Sequence, residues 1–436
     1  MATRSSKAED LNRAIGAECP AALSMLSARG RAIYFPYAGI LGQSAEAKGK
    51  KYNATIGIAL EEDKTPMRLA CLMKPLAVDP AKVLPYAPSF GLPELRARWK
   101  ELMLEKNPGL KGKAVSLPVV TQALTHGLAV AAYLFLEAGE EILFPEPYWD
   151  NYDLLFGVSF GARVTTFPCY AGGGFDVAGL RRVLAARRGG KIALLLNFPN
   201  NPTGYTPTES EMAGLAEALA EEAAQGSRIV AIIDDAYFGL VYEPGVARDS
   251  LFARIADAHP NLLAVKVDGA TKEDYVWGLR VGFISFAAKG AGLEALAALE
   301  DKAAGSVRAL ISNCSHLSQT LLLEAFKSGD YAREKRAKHE VLKHRYEVLK
   351  REIETHPEYA RSFAPLPYNS GYFMCLKPAP GLDAEKLRRR LLEKYDTGLI
   401  AMQGLLRIAF SSVPAGDLPT IVRNVHLACE EGRGGA

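Results

Sequence analysis

The sequence predicts an α/β protein with a large domain, in which helices flank a mostly parallel sheet, and a smaller α+β domain. Between about residues 118 and 286, short apolar segments alternate with amphipathic helical segments, which is typical of a parallel sheet covered by helices. After residue 287 this alternation stops, and long helical segments precede a mixture of short strands and helices. A chain of 436 residues is long enough for both domains.

The first region provides the strands of the large domain. They are so hydrophobic that we expect them to be buried on both faces, as in parallel sheets. The predicted strands are residues 141–144, 163–167, 192–196, 229–233, 262–267 and 281–285, and the helices between them include residues 128–136, 177–186 and 209–223.

The second region predicts the smaller domain. Its predicted helices are residues 290–304, 317–354, 384–394 and 419–429, and its strands are residues 372–376 and 405–410. The N-terminal region is too short to fold alone, so we expect it to join this domain; it has a predicted helix at 11–28 and a Gly- and Pro-bearing segment at 34–42. The predicted boundaries are 56–325 for the large domain and 1–55 with 326–436 for the small one.

Composition excludes several classes of function. Hydrophobic residues make up 49% and charged residues 23%, as in soluble globular proteins. A net charge of +3 gives no electrostatic reason to expect a nucleic-acid or membrane partner. The six cysteines are scattered, which predicts reduced thiols, no metal site and a cytoplasmic location. The first residues lack a signal-peptide pattern, and the longest apolar run, 127–136, is too short to span a bilayer.

A polar turn directly follows the predicted strand 192–196. Its sequence is Asn-Phe-Pro-Asn-Asn-Pro-Thr-Gly, from Asn197 to Gly204. Such a turn presents fixed polar groups at the carboxyl edge of a sheet, where α/β proteins bind ligands. Turn chemistry alone is equally compatible with an ordinary connection between a strand and a helix.

Two charged residues are expected at the same edge. Asp234 follows the strand 229–233, and a buried carboxylate there needs a charged partner unless it only caps a helix. Lys272 follows the strand 262–267. A lysine at this place can form an imine with an aldehyde cofactor and then move a substrate proton, although a single loop lysine is usually solvated. Lys266 is the alternative lysine.

The ordered set of the Asn197–Gly204 turn, Asp234-Asp235-Ala236-Tyr237, Lys272, Arg280 and Arg407 resembles the pyridoxal-phosphate-dependent aminotransferases of class I/II. These have fold type I, and the chain resembles the aspartate aminotransferases among them. The family has an arginine eight residues after its lysine, and this spacing selects Lys272 over Lys266. The resemblance implies an enzyme that moves an amino group between an L-amino acid and a 2-oxo acid.

The resemblance also implies roles for individual residues toward pyridoxal 5′-phosphate. Asp234 would pair with the protonated ring nitrogen, Tyr237 would donate to the ring 3-oxygen beside Asn201, and Trp149 would stack on the ring. The residues implied for the phosphate are Ala123, Leu124, Thr125, Thr271, Arg280 and, from the neighbouring subunit of a homodimer with shared active sites, Tyr86. Gly269 stands where the family has a serine, so we expect one phosphate hydroxyl to be missing.

Substrate contacts are implied in the same way. Arg407 and Asn201 would bind the α-carboxylate. Arg308 resembles an arginine that binds a distal carboxylate from the other subunit, which implies aspartate or glutamate as the substrate. Alternatively, Tyr34, Gly39 and residues 368–372 would line a pocket for a bulkier side chain.

Other functions are compatible with parts of this pattern. A lyase that catalyses β-elimination or decarboxylation can use the same fold. A regulator can keep the cofactor pocket without turnover, but the roughly 40 residues before the core are too few for the DNA-binding domain that such regulators carry. A nicotinamide-dependent enzyme is disfavoured because Gly290-Ala291-Gly292 lacks the third glycine of the dinucleotide fingerprint.

Overall fold

The computed structural model describes residues 6–36, 38–74 and 78–434. Its strands are β1 (Tyr52–Asn53), β2 (Val119–Gln122), β3 (Glu141–Glu146), β4 (Arg163–Pro168), β5 (Tyr170–Ala171), β6 (Gly174–Phe175), β7 (Lys191–Asn197), β8 (Arg228–Asp234), β9 (Leu262–Asp268), β10 (Val281–Ala287), β11 (Phe363–Pro365), β12 (Phe373–Pro378), β13 (Thr397–Gly398), β14 (Ile400–Met402) and β15 (Leu405–Ala409).

The helices alternate with these strands over most of the chain. They are α1 (Ser6–Glu18), α2 (Pro20–Met25), α3 (Ala28–Ala32), α4 (Ile40–Glu46), α5 (Ala70–Met73), α6 (Pro93–Lys106), α7 (Ala123–Phe135), α8 (Val177–Ala185), α9 (Glu209–Ala224), α10 (Leu251–Ile255), α11 (Leu293–Ile311), α12 (His316–Lys327), α13 (Tyr331–Thr355), α14 (Ala384–Lys394) and α15 (Leu418–Gly434). None of the described helices is both long and apolar enough to cross a lipid bilayer.

Seven of the described strands form the central sheet, in the spatial order β2-β10-β9-β8-β7-β3-β4. The strands from β4 to β9 in this order are parallel to one another. β10 is antiparallel to both β9 and β2. The predicted α/β architecture with a mostly parallel sheet is therefore confirmed, while β2, a four-residue strand beside β10, was not predicted.

Side chains of the central strands alternate between two hydrophobic cores. On β8, Ile232 packs into one core, and its neighbours Ala231 and Ile233 pack into the other. Successive residues of a strand point to opposite faces of the sheet, so each core lies between one face and its covering helices. Burial on both faces explains why these strands are almost continuously apolar.

A second sheet lies in the C-terminal part, where the described strands have the antiparallel order β11-β12-β15-β14. The N-terminal β1 reaches this region, because Tyr52 pairs with Thr397 in β13. The amide of Ala409 also donates to the carbonyl of Ala54 at 2.9 Å. These contacts bring the two ends of the chain together; the predicted domain boundaries stay a prediction.

Two predicted helices are broken in the structure. The prediction of a single helix over residues 317–354 is wrong, because α12 ends at Lys327 and α13 begins at Tyr331. Gly329 lies in the break, where a glycine disfavours helix continuation by roughly 1 kcal/mol. The segment 11–28 is broken before Pro20, which begins α2 and has no amide hydrogen to continue α1. In the predicted segment 34–42, residue 37 lies outside the described residues.

Candidate active site

A cavity of about 370 Å³ opens at the carboxyl edge of the central sheet. The parallel strands β7, β8 and β9 end side by side there, since Asn197 pairs with Asp234 and Asp234 with Val267. The predicted residues that line this cavity are Ala123, Leu124, Thr125, Trp149, Asn201, Asp234, Tyr237, Thr271, Lys272, Arg280 and Arg407. Residues that sequence analysis did not select also line it, among them Ile40, Leu41, Tyr152, Trp277 and Phe373.

The turn after β7 is held by its own side chains. The Asn197 amide group donates to the Asp234 carbonyl at 2.8 Å, and the Asn197 side-chain oxygen accepts from the Asn201 amide at 2.7 Å. Gly204 has φ +73°, and a Cβ there would lie 1.9 Å from the carbonyl oxygen of Phe373. Only glycine fits this close approach, which holds the turn against β12.

Lys272 lies at the rim of the cavity, partly exposed, with its ammonium group 5.1 Å from the centre of the Tyr237 ring. The Tyr372 hydroxyl donates to the Lys272 carbonyl at 2.6 Å and so fixes its backbone. Burial lowers the pKa of Lys272 to about 8; the Asp234 charge opposes this shift and the Arg280 charge adds to it. A lowered pKa provides the neutral amine that a nucleophile or base needs near neutral pH.

Lys266, the alternative lysine, is in a different environment. Its side chain is fully buried and forms ion pairs with Asp235 and with Asp268, the latter at 3.3 Å. Burial alone would lower the pKa of Lys266, but the two carboxylates hold it above its usual value. Lys266 is therefore a charged structural residue that does not line the cavity.

Asp234 is 3% exposed and accepts hydrogen bonds from the Tyr152 hydroxyl at 2.6 Å and from the Ala236 amide at 3.1 Å. Burial raises its pKa, while the Tyr152 hydrogen bond and the Lys272 charge oppose the rise. Among the described residues it has no ion-pair partner. This carboxylate suits a cationic ring N–H.

Tyr152 lines the cavity but was not predicted from the sequence to be a site residue. It is 1% exposed, and its ring lies 5.5 Å from that of Trp149 in an edge-on arrangement. The signal was present in the sequence, since Trp149 and Tyr152 are three residues apart after Pro147. The Tyr152 hydroxyl contacts Asp234, which lies 82 residues further along the chain. Local sequence spacing does not reveal such a contact.

One end of the cavity can hold an anion. α7 begins at Ala123, and the amides of Leu124 and Thr125, two residues that line this end, have no acceptor within the helix. Ala123 and Arg280 both have left-handed backbone, with φ +58° and +55°, and the Ala123 amide donates to the Arg280 carbonyl at 3.1 Å. Strained backbone of this kind occurs at ligand sites.

Thr271 adds a free donor near this end. The residue is 2% exposed, and within the described structure its hydroxyl has no hydrogen-bond partner. A buried hydroxyl without a partner is unfavourable by about 1–3 kcal/mol, which a bound acceptor would relieve.

The absence of a serine at position 269 has a steric reason. A Cβ on Gly269 would lie 2.8 Å from the Val281 carbonyl oxygen, 2.9 Å from the Gly282 Cα and 3.2 Å from a methyl group of Leu124. The first two contacts are with backbone, which cannot rotate away. The close packing of β9 on β10 therefore excludes the family's serine in this chain.

Arg407, on β15, is 2% exposed and closes the other end of the cavity. One terminal nitrogen donates to the Asn201 side-chain oxygen at 3.2 Å, and the other to the Thr55 carbonyl at 3.0 Å. The guanidinium lies 4.3 Å from the centre of the Phe373 ring, and its Nε has no partner among the described residues. A buried, oriented guanidinium with a free donor suits a carboxylate.

Some predicted residues do not line this cavity: Tyr86, Arg308 and Gly39, and, from the alternative pocket for a bulkier side chain, Tyr34 and residues 368–372. Tyr86 is 91% exposed, and Arg308 is an exposed residue of α11. Both were expected to reach the site of a neighbouring subunit, so their exposure in one chain is compatible with that expectation. Gly39 precedes α4, whose first residues Ile40 and Leu41 do line the cavity.

The chain matches a known protein family over most of its length. Residues 57–425 match the family model described as aminotransferase class I and II. A probable aspartate/prephenate aminotransferase of Aquifex aeolicus is 30% identical over 254 residues, which are 58% of this chain and 59% of that protein. A probable N-succinyldiaminopimelate aminotransferase of Mycobacterium tuberculosis is 34% identical over 127 residues, 29% of this chain and 30% of that protein. The matched stretches thus span well under two thirds of these relatives.

Solved structures match over nearly their whole length. An aminotransferase from Anaerococcus prevotii superposes with a TM-score of 0.81 at 23% identity, covering 92% of this chain and 98% of that one. A single mutant of Thermus thermophilus aspartate aminotransferase gives 0.72 at 21% identity, covering 92% and 99%. The predicted fold type I is confirmed by these likenesses, which at such identities establish the fold.

Proposed function

Because the chain belongs to the aminotransferase class I and II family, we propose that it transfers an amino group between an L-amino acid and a 2-oxo acid with pyridoxal 5′-phosphate, the cofactor of this family. The observation that supports this most is the meeting of Lys272, with its lowered pKa, and the buried carboxylate of Asp234 in one cavity. Thr271 and the first turn of α7 add donors for a phosphate.

When bound, the cofactor supplies an aldehyde that accepts the amino group and a ring that withdraws electrons. Asp234 would hold the ring nitrogen protonated, and Tyr152, whose hydroxyl donates to this carboxylate, would orient it. The Lys272 amine removes and returns the proton at the substrate α-carbon, for which a pKa near the working pH is best. Tyr237 and Asn201 would donate to the ring 3-oxygen, and Arg407, which lies over the Phe373 ring, would bind the α-carboxylate of the substrate.

We propose an acidic amino acid, aspartate or glutamate, as the first substrate to test. Support comes from Arg308, which would reach a neighbouring site, and from the aspartate aminotransferases among the relatives. The names of the relatives also include diaminopimelate derivatives, so the family alone does not select the side chain.

A homodimer follows from the same proposal. Tyr86, Leu84 and Leu293 are 91%, 80% and 82% exposed in the single chain, although their side chains are largely apolar. Covering them with a second copy would bury this surface and bring Tyr86 to the neighbouring cofactor phosphate. All six cysteines are free thiols, which supports the proposed cytoplasmic location.

The first test is the visible spectrum of the purified protein, followed by borohydride reduction and peptide mass mapping. We expect a pyridoxyl group on the peptide that contains Lys272. The variant Lys272→Ala should lose it, and Lys289→Ala, which removes an exposed lysine, should keep it. A colourless protein that stays unmodified after addition of pyridoxal phosphate would contradict the proposal.

A half-reaction separates an aminotransferase from a lyase on the same fold. With one amino acid and no 2-oxo acid added, an aminotransferase releases one 2-oxo acid per site and keeps the amino group. A lyase releases ammonia or carbon dioxide in many turnovers. A regulator would bind the cofactor and release neither.

A further inference from the structure

A second cavity, of about 710 Å³, lies on the other side of the segment that carries Lys272. It is enclosed by α6, by the segment 238–244 that follows β8, and by the first half of α13. None of the described residues that line it also lines the cavity of Lys272. It is about twice as large and has no part in the function proposed above.

The mouth of this cavity is positively charged. Among its described lining residues, five are lysine or arginine and three are glutamate. Arg248 and Arg336 are exposed and form no ion pair with any described residue, and Lys343 has only Glu347, at 3.9 Å. Two guanidinium groups therefore remain available for an anion.

The three glutamates do not cancel this charge. Glu273 forms ion pairs with Lys106 and, at 3.0 Å, with Lys335. Glu243 is paired with Lys350, which lies outside the cavity. The third, Glu340, has a side chain that is 70% exposed and so remains hydrated.

The interior is apolar and aromatic, with one free hydroxyl. Leu102, Phe238 and Leu240 form part of the wall and are 7%, 8% and 2% exposed. Tyr275, which also lines a neighbouring cavity of about 360 Å³, is 5% exposed, and its hydroxyl has no hydrogen-bond partner among the described residues. Its backbone is left-handed, with φ +59°, which for a bulky residue is strained and requires support from its surroundings.

We propose that this cavity binds an aromatic carboxylate, with its carboxylate at Arg336 and Arg248 and its ring beside Leu102 and Phe238, within reach of the Tyr275 hydroxyl. Such a ligand would neutralise the free guanidinium groups, and a hydroxyl substituent on its ring would supply the acceptor that the buried Tyr275 hydroxyl lacks. The apolar ring of such a ligand matches the apolar wall of the cavity, and its anionic carboxylate matches the positively charged mouth.

A ligand in the second cavity would lie next to the segment that follows Lys272. Glu273 follows Lys272 directly and is held by Lys106 and Lys335, both of which line the second cavity. Lys335 also pairs with the fully buried Asp274 at 3.0 Å. A ligand in the second cavity therefore adjoins the ion pairs that fix the segment after Lys272.

Calorimetric titration of the cofactor-loaded protein with 2-naphthoate tests the proposal. We expect one site that is kept in Arg407→Ala, because Arg407 belongs to the other cavity. Arg336→Ala should weaken binding by about tenfold or more, as expected for a lost charged hydrogen bond. The matched control is Arg351→Ala, which removes an exposed arginine of α13 outside the cavity and should leave affinity unchanged.

A second variant examines the interior of the cavity. Tyr275→Phe keeps the ring and removes only the hydroxyl, so it should fold and bind 6-hydroxy-2-naphthoate, whose ring hydroxyl can accept from Tyr275, about threefold or more weakly. Equal binding by wild type and Arg336→Ala would overturn the proposal. So would loss of the site in Arg407→Ala, or no binding at millimolar concentration.

Discussion

Two lysines six residues apart, Lys266 and Lys272, have opposite environments. Lys266 is buried against two carboxylates and stays charged, whereas Lys272 borders a cavity and has a pKa of about 8. The two lysines differ in pKa because different residues surround them in the folded chain. The sequence offered both, and only the spacing to Arg280 favoured Lys272.

Because its pKa is lowered, Lys272 is predicted to undergo reductive methylation at a lower pH than an ordinary lysine. Only the neutral amine reacts with an aldehyde, and burial lowers the pKa from 10.5 to about 8. In cofactor-free protein, reductive methylation at Lys272 should therefore reach half its maximum near pH 8. Lysines in water have an ordinary pKa of about 10.4, so peptides with solvent-exposed lysines should be modified only at higher pH. Peptide mass spectrometry measures both, and equal pH profiles would contradict the environment described for Lys272.

Tyr152→Phe is predicted to weaken the hold on the cofactor ring. The change removes the 2.6 Å hydrogen bond to Asp234, so the pKa of this carboxyl should rise further. A hydrogen bond to a charged group contributes about 1.5–3 kcal/mol, so cofactor affinity or turnover should fall roughly 10- to 100-fold. Fluorescence titration and steady-state rates measure these.

Tyr205→Phe is the matched control for this prediction. Tyr205 is also buried and donates to a carboxylate, Glu211, at 2.6 Å, but away from the cavity. It should change stability and leave cofactor affinity as it is. If both variants lost cofactor affinity equally, the effect of Tyr152→Phe would come from a general loss of protein stability and not from its contact with Asp234.

At the scale of elements, the ends of β9 and β10 and the start of α7 pack as one unit. Gly269 lies against Val281 and Gly282, and a Cβ on Gly282 would come within 2.6 Å of the Ala123 carbonyl carbon. Two glycines therefore allow the strands to approach α7, the helix proposed to hold the cofactor phosphate. The sequence predicted a lost hydroxyl at Gly269 but not the packing that accounts for it.

Gly269→Ser is predicted to destabilise the protein without improving cofactor affinity. The new side chain would collide with backbone atoms, and overpacking of this kind costs about 1–3 kcal/mol. Urea unfolding and cofactor titration measure the two effects. Gly416→Ser is the control, because no atom lies within 4 Å of a Cβ there. Tighter cofactor binding at unchanged stability would show that the loop can accept the serine.

At the scale of the whole molecule, we propose an active site that is shared between two chains of a homodimer. Tyr86 is fully presented to solvent in one chain, yet the family resemblance implies a role at the partner's phosphate. Its substitution should leave the unfolding free energy of a single chain nearly unchanged, since exposed residues contribute little.

Mixing two inactive variants tests this arrangement. A dimer that combines a Lys272→Ala chain with a Tyr86→Ala chain would contain one site with both native residues. Random pairing should then restore up to about a quarter of wild-type activity. Activity that stays at the average of the two separate variants would contradict shared sites, and sedimentation analysis of the same samples reports the oligomeric state.

The sequence by itself determined the alternation of strands and helices and the order of the polar motifs after β7, β8 and β9. Hydrophobic periodicity is local, so it predicts a parallel sheet and places Asn201, Asp234 and Lys272 at one edge of it. The sequence did not determine the antiparallel direction of β10 or the break between α12 and α13, because several chain paths satisfy the same local pattern.

Only the tertiary structure decided which groups touch. The Tyr152 hydrogen bond to Asp234, the Arg407 contact with Thr55 and the pairing of Lys266 each join residues that are far apart in the chain or on different strands. The pKa values follow from these contacts and from burial, neither of which is a property of a short segment. The second cavity likewise exists only because α6, α13 and the segment after β8 are folded against one another.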